Sequence, residues 1–141
     1  MKRILYILIS LIMLFTISCE DVKATKGVLY EIRDYTIEPE WYDRYVYWAE
    51  NHFIPYAKEK IDIVDFWVDK GIDAEVGGTN PIVSANGQPN ITWVARYKNK
   101  NERDAFFESL KTDSEWAKVW SMHPKPDAYI HQNARFFKSI K

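Results

Sequence analysis

Residues 91–120, ITWVARYKNKNERDAFFESLKTDSEWAKVW, decide the fold. Ile91–Tyr97 is rich in β-branched and aromatic residues, the composition of a half-buried strand. Asn99 with Glu102 three residues later is a capping-box signature, so a helix starts there. Ala105, Phe106 and Leu110 supply its apolar side. Thr112 with Glu115 repeats the signature, which predicts a break near Asp113 and a second short helical turn carrying Trp116 and Trp120. His123-Pro124-Lys125-Pro126 stops the helical region. Ala128–Phe137 is then the last strand, with His131, Asn133 and Arg135 on one face and Ile130, Gln132, Ala134 and Phe136 on the other.

Upstream, Val28–Tyr35 also alternates. Val28, Tyr30, Ile32 and Asp34 share one face; Leu29, Glu31, Arg33 and Tyr35 share the other. The first face is mostly apolar and is expected to pack on helices. Pro39 opens a helix, where its missing N–H costs nothing. From Trp41 to Ala57 aromatic and aliphatic residues recur with helical period, opposite Asp43, Arg44, Glu50 and Asn51. Pro55 is expected to kink this helix or end its first section. Ile61–Asp69 reads as the second strand, with Val64, Phe66 and Val68 on one face and Ile63, Asp65 and Trp67 on the other. Gly71 to Asn90 has loop chemistry, with a tight turn at Asn86-Gly87 and, at Ile82-Val83, a segment able to add strand pairing. A loop of this length is usually functional or disordered. The order is β-α-β-β-α-β: an α+β, ferredoxin-like antiparallel sheet with helices on one face.

At 141 residues and 47% hydrophobic content the chain suffices for one domain with its own core. Its 19 basic against 20 acidic residues leave no electrostatic footprint for nucleic acid. Lys2 and Arg3 precede an uncharged, almost wholly apolar run to Ile17, shorter than the roughly twenty residues a membrane span needs. The run ends in Thr16-Ile17-Ser18-Cys19, similar to a bacterial lipobox with Thr16 where leucine is preferred. The expectation is a lipoprotein signal peptide over residues 1–18, a lipidated tether over 19–27 and the domain over 28–141. Lipid on Cys19 would hold the protein on the bacterial cell envelope, at the periplasmic face or the cell surface. A retained N-terminal anchor, or an ordinary signal peptide that leaves Cys19 as a free thiol, are the alternatives. Cys19 is the single cysteine, so no intramolecular disulfide can form.

No phosphate-binding loop or nucleophile elbow is present. His52, His123 and His131 lack metal-ligand spacing and a cysteine partner, so neither a metal nor a cofactor is expected. His52 and His123 read as locally bonded or helix-terminating residues; His131 stands out by its polar strand face and tunable protonation. The candidate ligand-binding residues are Glu31, Arg33, Tyr35, Asp65, Trp67, Arg96, His131, Asn133 and Arg135, drawn from four strands. If the apolar strand faces meet the helices, most of these line the opposite, open face of the sheet. There Arg33, oriented by Glu31, would hold the polar end of a small molecule while Trp67 covers its apolar part. The bland reading is that Glu31 and Arg33 simply pair, as covered charges must.

The order of these features resembles the NIPSNAP family. Tyr30-Glu31-Ile32-Arg33-Asp34-Tyr35 is similar to its opening strand, and Glu75-Val76-Gly77-Gly78-Thr79-Asn80 to its Gly-Asn turn. Trp93, Arg96 and Tyr97, then a helix, then Asp113 and Trp116 are similar to its second half. The resemblance spans roughly Val28 to Phe137, and order and spacing carry it. It implies a dimeric α+β barrel: a homodimer in which the open sheet face becomes a cavity wall. It implies little about chemistry. Two functions follow as expectations. One is an envelope lipoprotein domain that binds a small, anionic organic molecule in the sheet cleft. The other, by analogy of fold, is a cofactor-free monooxygenase-type or haem-binding enzyme.

Overall fold

The computed structural model describes residues 27–140. The expected signal peptide, Cys19 and all of the expected tether but Gly27 lie outside the described residues. Four strands form one sheet: β1 (Leu29–Ile37), β2 (Asp62–Val68), β3 (Ile91–Tyr97) and β4 (Tyr129–Lys138). Their order is β2-β3-β1-β4 and every pairing is antiparallel. Between β1 and β2 run a 3-10 turn (Pro39–Trp41), α1 (Tyr42–Trp48), a π-helical turn (Ala49–Phe53) and α2 (Ile54–Lys60). Between β3 and β4 run α3 (Lys100–Ser109) and α4 (Ser114–Ser121). This is the split βαβ arrangement read from the sequence, a ferredoxin-like α+β fold.

Local signals explain the helix boundaries. Asn99 caps α3, its Oδ1 accepting the Glu102 N–H at 3.0 Å, while the Glu102 carboxylate accepts the N–H of Lys98. At α4 the cap is Asp113, one residue beyond Thr112: its Oδ1 accepts the N–H groups of Glu115 and Trp116. Its other oxygen accepts the Tyr56 hydroxyl at 2.8 Å, which ties α4 to α2. Pro55 ends the first helical section as expected. The widened turn before it, where Ile54 N–H reaches Ala49 O, makes room for a ring that can donate no bond.

The buried face of β1 is the reverse of the expectation. β3 turns Ile91, Trp93, Ala95 and Tyr97 into the core, and their partners on β1 are Tyr35, Arg33, Glu31 and Leu29. Glu31 is fully buried and Tyr35 nearly so, whereas Ile32 is only half-buried. Periodicity states which residues share a face; the helix layer decides which face is covered. Here α3 brings Arg103 onto Glu31, so the buried charge is paired.

A bulge in β2 corrects a second expectation. The register shifts between Ile63 and Asp65, leaving Val64 as the extra residue. Ile63, Phe66 and Val68 therefore pack on the core, Val64 is half exposed, and Asp65 and Trp67 stay on the open face. The 71–90 loop contains the Asn86-Gly87 turn, with Gly87 N–H bonded to Ser84 O and Gly87 at φ 74°. Ile82-Val83 forms no strand. Asn90 fixes the loop's end to β1: its N–H donates to Tyr35 O, and its side chain both accepts from Ile37 N–H and donates to Ile37 O. No helix among the described residues is long and apolar enough to cross a membrane.

Candidate ligand-binding site

A cavity of about 350 Å³ lies between the sheet and the helices. Arg33 and Tyr35 of β1, Trp93 of β3, and Tyr129 and Gln132 of β4 form its floor. Trp48 and Phe53, then Phe107 of α3, then Trp116 and Trp120 of α4 form its walls. The rings brace one another: Trp48 stacks on Phe53 at 5.7 Å, Phe53 meets Trp93 at 5.6 Å, and Trp116 leans on Trp120 at 5.5 Å. Indole and phenyl rings have few torsions, so the walls keep their shape without a ligand.

One end is organised by charge. Arg33 Nε donates to Glu31 Oε1 at 2.8 Å, and Arg33 Nη1 donates to the Tyr35 hydroxyl at 3.1 Å. Arg103 grips the same carboxylate with both Nε (2.9 Å) and Nη2 (2.7 Å). Both guanidinium carbons stand 4.2 Å from the Phe107 ring centre. Burial alone would raise the Glu31 carboxyl, but the bonds and charges of Arg103 and Arg33 overcome it and hold it below its ordinary value. Burial would likewise lower Arg33, and Tyr35 and Glu31 reverse that.

The other end is a buried histidine among phenols. His123 Nε2 lies 2.9 Å from the Tyr129 hydroxyl, and His123 Nδ1 accepts the N–H of Lys125. Trp48 and Trp120 pack on the ring at 4.3 and 4.7 Å. Burial depresses its pKa to about 4, so the imidazole is neutral at pH 7. Tyr129 meets Tyr35 edge to face at 5.3 Å, which joins the two polar ends across the cavity floor. Burial pushes the Tyr129 and Tyr45 phenols up, so both stay protonated.

Of the nine candidate residues, only Glu31, Arg33 and Tyr35 belong to this site. Asp65, Trp67, Arg96, His131, Asn133 and Arg135 lie on the opposite face of the sheet. Arg135 donates from Nη2 to Asp34 at 2.7 Å, and Thr92 donates to the same carboxylate. Arg96 pairs with Asp62. Asp65 accepts the N–H of Phe66, and Trp67 is 49% exposed. His131 pairs with Thr36 across the β1–β4 ladder, and Asn133 with Asp34. The expected sharing of one face by Arg33, His131 and Arg135 is therefore corrected, and Trp67 cannot cover a ligand on Arg33. Their strands meet, but the pleat sends the side chains to opposite sides. Sequence reading missed Arg103, Tyr129, His123 and Gln132. Arg103 and Phe107 at i, i+4 carried the available signal, a cation and a ring on one helix face. Among the described residues no group of histidine, cysteine and carboxylate side chains could hold a metal ion.

No protein-family model matches the chain, and no curated protein does. Solved structures do match. A NIPSNAP family protein from Agrobacterium tumefaciens superposes with a TM-score of 0.61 at 12% identity, over 80% of this chain and 86% of that one. A second from the same organism, of unknown function, gives 0.59 at 17% identity over 80% and 88%. A protein assigned to antibiotic biosynthesis monooxygenases, from Bacteroides thetaiotaomicron, gives 0.50 at 8% identity over 83% and 93%. Identities this low speak to the fold alone. Element order, sheet order and superposition agree: the chain folds as a NIPSNAP-like domain of the ferredoxin-like α+β type.

Proposed function

We propose that this protein is a lipid-anchored, homodimeric envelope domain that binds a small organic molecule, anionic at one end, between its sheet and its helices. The observation that carries the ligand reading is the ring-walled cavity with a guanidinium in its floor. Pockets of this kind are largely apolar, pre-formed and fitted with a few placed polar groups. The site sits on the helix side of the sheet, which leaves the open face for a second copy. That face offers Val64, Trp67 and Phe137, each 42–49% exposed, a patch that association would cover.

One experiment addresses both parts. Native mass spectrometry of the full-length protein, purified as the cell makes it, is expected to give twice the chain mass and an adduct released on denaturation. A monomer at micromolar concentration would remove the dimer; adduct-free protein from every preparation would remove the ligand. The anchor rests on the Thr16–Cys19 motif after the apolar run. Cys19→Ala is expected to move the protein from the membrane to the soluble fraction, and equal partitioning of both forms would sink it.

A second reading, a cofactor-free monooxygenase-type enzyme, draws on the His123–Tyr129 pair beside the aromatic cavity and on the fold shared with the monooxygenase-type protein. A haem site finds less support. His123 packs on the walls with both ring nitrogens engaged, so it offers no free imidazole nitrogen to an iron.

A further inference from the structure

We infer that the 71–90 loop is an arm that reaches across to a second copy of this chain and lies along the outer edge of β4 there, with Ile82 and Val83 against Ile130 of the partner subunit. This rests on the homodimer and the anchor proposed above. It adds a role for the loop and the relative placement of the two copies, which neither reading supplies.

The loop is not packed on its own domain. Every residue from Gly71 to Gln88 is exposed. Among the described residues, the one hydrogen bond made by residues 72–83 is the Gln88 amide donating to Ile82 O at 3.3 Å. Yet the loop carries Ile72, Val76, Ile82 and Val83, and Ile82 and Val83 are 87% and 73% exposed. Nothing from Val76 to Asn90 is charged. Bare aliphatic side chains on an uncharged segment mark a surface that another body covers. Trp67 and Thr92 of the open sheet face border the same space as Val76 and Val83, so the arm continues the surface offered to a second copy.

Strand register selects that partner over the bilayer. The arm joins Val68 to Ile91, and Ile91 pairs with Tyr35 late in β1. Leu29, next to the tether, pairs with Tyr97 at the other end. Six strand residues, roughly 20 Å at about 3.4 Å each, separate the two ends, so the arm leaves the end of the sheet remote from the anchor. Its two charges, Asp73 and Glu75, are of the sign that anionic headgroups repel. Two copies tethered to one bilayer stay equivalent when their twofold axis runs along the strands. With the open faces together, that axis sets the β2 edge of each copy against the β4 edge of the other. β4 begins at Tyr129, opposite Ile37, at the same end of the sheet as the arm. Its outer edge has no neighbouring strand among the described residues, and Ile130 is 42% exposed. Ile82-Val83 thus meets an apolar contact and free backbone groups, and Pro81, which cannot donate, suits an added edge strand.

The test uses full-length chains carrying Ile82→Cys or Ile130→Cys, made separately and together. Wild type, whose only cysteine is Cys19, is the blank. A short bismaleimide is expected to join an Ile82→Cys chain to an Ile130→Cys chain, and neither variant to itself. Ile82→Asp with Val83→Asp is expected to weaken the dimer at least tenfold by analytical ultracentrifugation, because aliphatic side chains of both copies lose their cover. Tyr47→Asp, exposed on α1, should leave it unchanged. The urea midpoint of the diluted monomer should not move in the Asp variant, since both side chains already face water in the single chain. Ile82→Cys chains that join one another, or a dimer that gives no cross-link between the two variants, overturn the inference. Loss of membrane retention by the Asp variant with its dimer intact assigns the arm to the bilayer and overturns it too. A monomeric wild type removes the homodimer reading, and this inference with it.

Discussion

Glu31→Gln is expected to cost about 3–5 kcal/mol of folding stability, the range for breaking a buried ion pair from one side. Glu31 has no exposed surface, and its oxygens take three N–H bonds from two guanidinium groups. Glutamine keeps the shape but removes the only negative charge that Arg33 and Arg103 share in the core. Its amide nitrogen would also meet donors with a donor. The side chains of Arg33 and Arg103 are only 17% and 15% exposed, so water cannot make good the loss. Asp34→Asn is the control from the other face. Asp34 is itself buried and also accepts from Thr92, but its arginine is 50% exposed, so water can take over part of the pairing and the cost should be smaller than at Glu31. Urea midpoints at pH 7 for both variants and wild type decide it. A loss at Glu31 as small as at Asp34 would mean that water reaches the triad and that α3 does not seal it. The pH dependence has a definite sign. The folded-state value is depressed, so this stability is present above the ordinary value of 4.5 and is lost as pH falls through the lower folded value.

The Glu31 triad also marks where sequence reading stopped. The alternation of β1 was legible, and so were the caps at Asn99 and near Asp113, because each is a local rule acting over a few residues. From them came the element order, and from the order the ferredoxin-like fold. What failed was the step from "polar face" to "open face". A strand cannot announce that a helix some seventy residues later will deliver Arg103 to cover its glutamate. Once that step failed, the candidate site moved with it: Glu31, Arg33 and Tyr35 kept one another's company, and the six residues of the other strand faces did not. The β2 bulge was hidden for a related reason. Inserting Val64 costs the sequence nothing visible, yet it reverses the parity of everything before it. The aromatic walls were half legible. Trp116, Trp120 and Phe53 were placed on helices, but their failure to fill the space between them is a property of three-dimensional packing.

Acid should destabilise the fold from about pH 6.5 downward, and His123 is the cause. Its folded-state pKa of about 4 lies below its ordinary 6.5 because burial disfavours the charged ring. Between those values the unfolded chain binds a proton that the folded chain refuses, so stability rises with pH across the window. The contribution is therefore complete above pH 6.5 and lost as pH falls toward 4. Lowering pH from 7.5 to 4.5 should remove about 2–3 kcal/mol, at roughly 1.4 kcal/mol for each unit by which the two states differ. Nothing packed on the ring offsets this: Tyr45, Trp48, Trp120 and Tyr129 bring no negative charge to an imidazolium. Protonation would also set the Nδ1 proton against the N–H of Lys125, turning an accepted bond into a clash of donors. His123→Gln cannot titrate and should flatten the slope between pH 7.5 and 4.5, whatever it costs at pH 7. The Glu31 contribution begins to fade only below 4.5, so the two groups separate along the pH axis. Urea unfolding at both pH values, for wild type and His123→Gln, measures the difference. A wild-type slope that survives in the variant would assign the acid sensitivity to another group and return His123 to an ordinary, hydrated histidine.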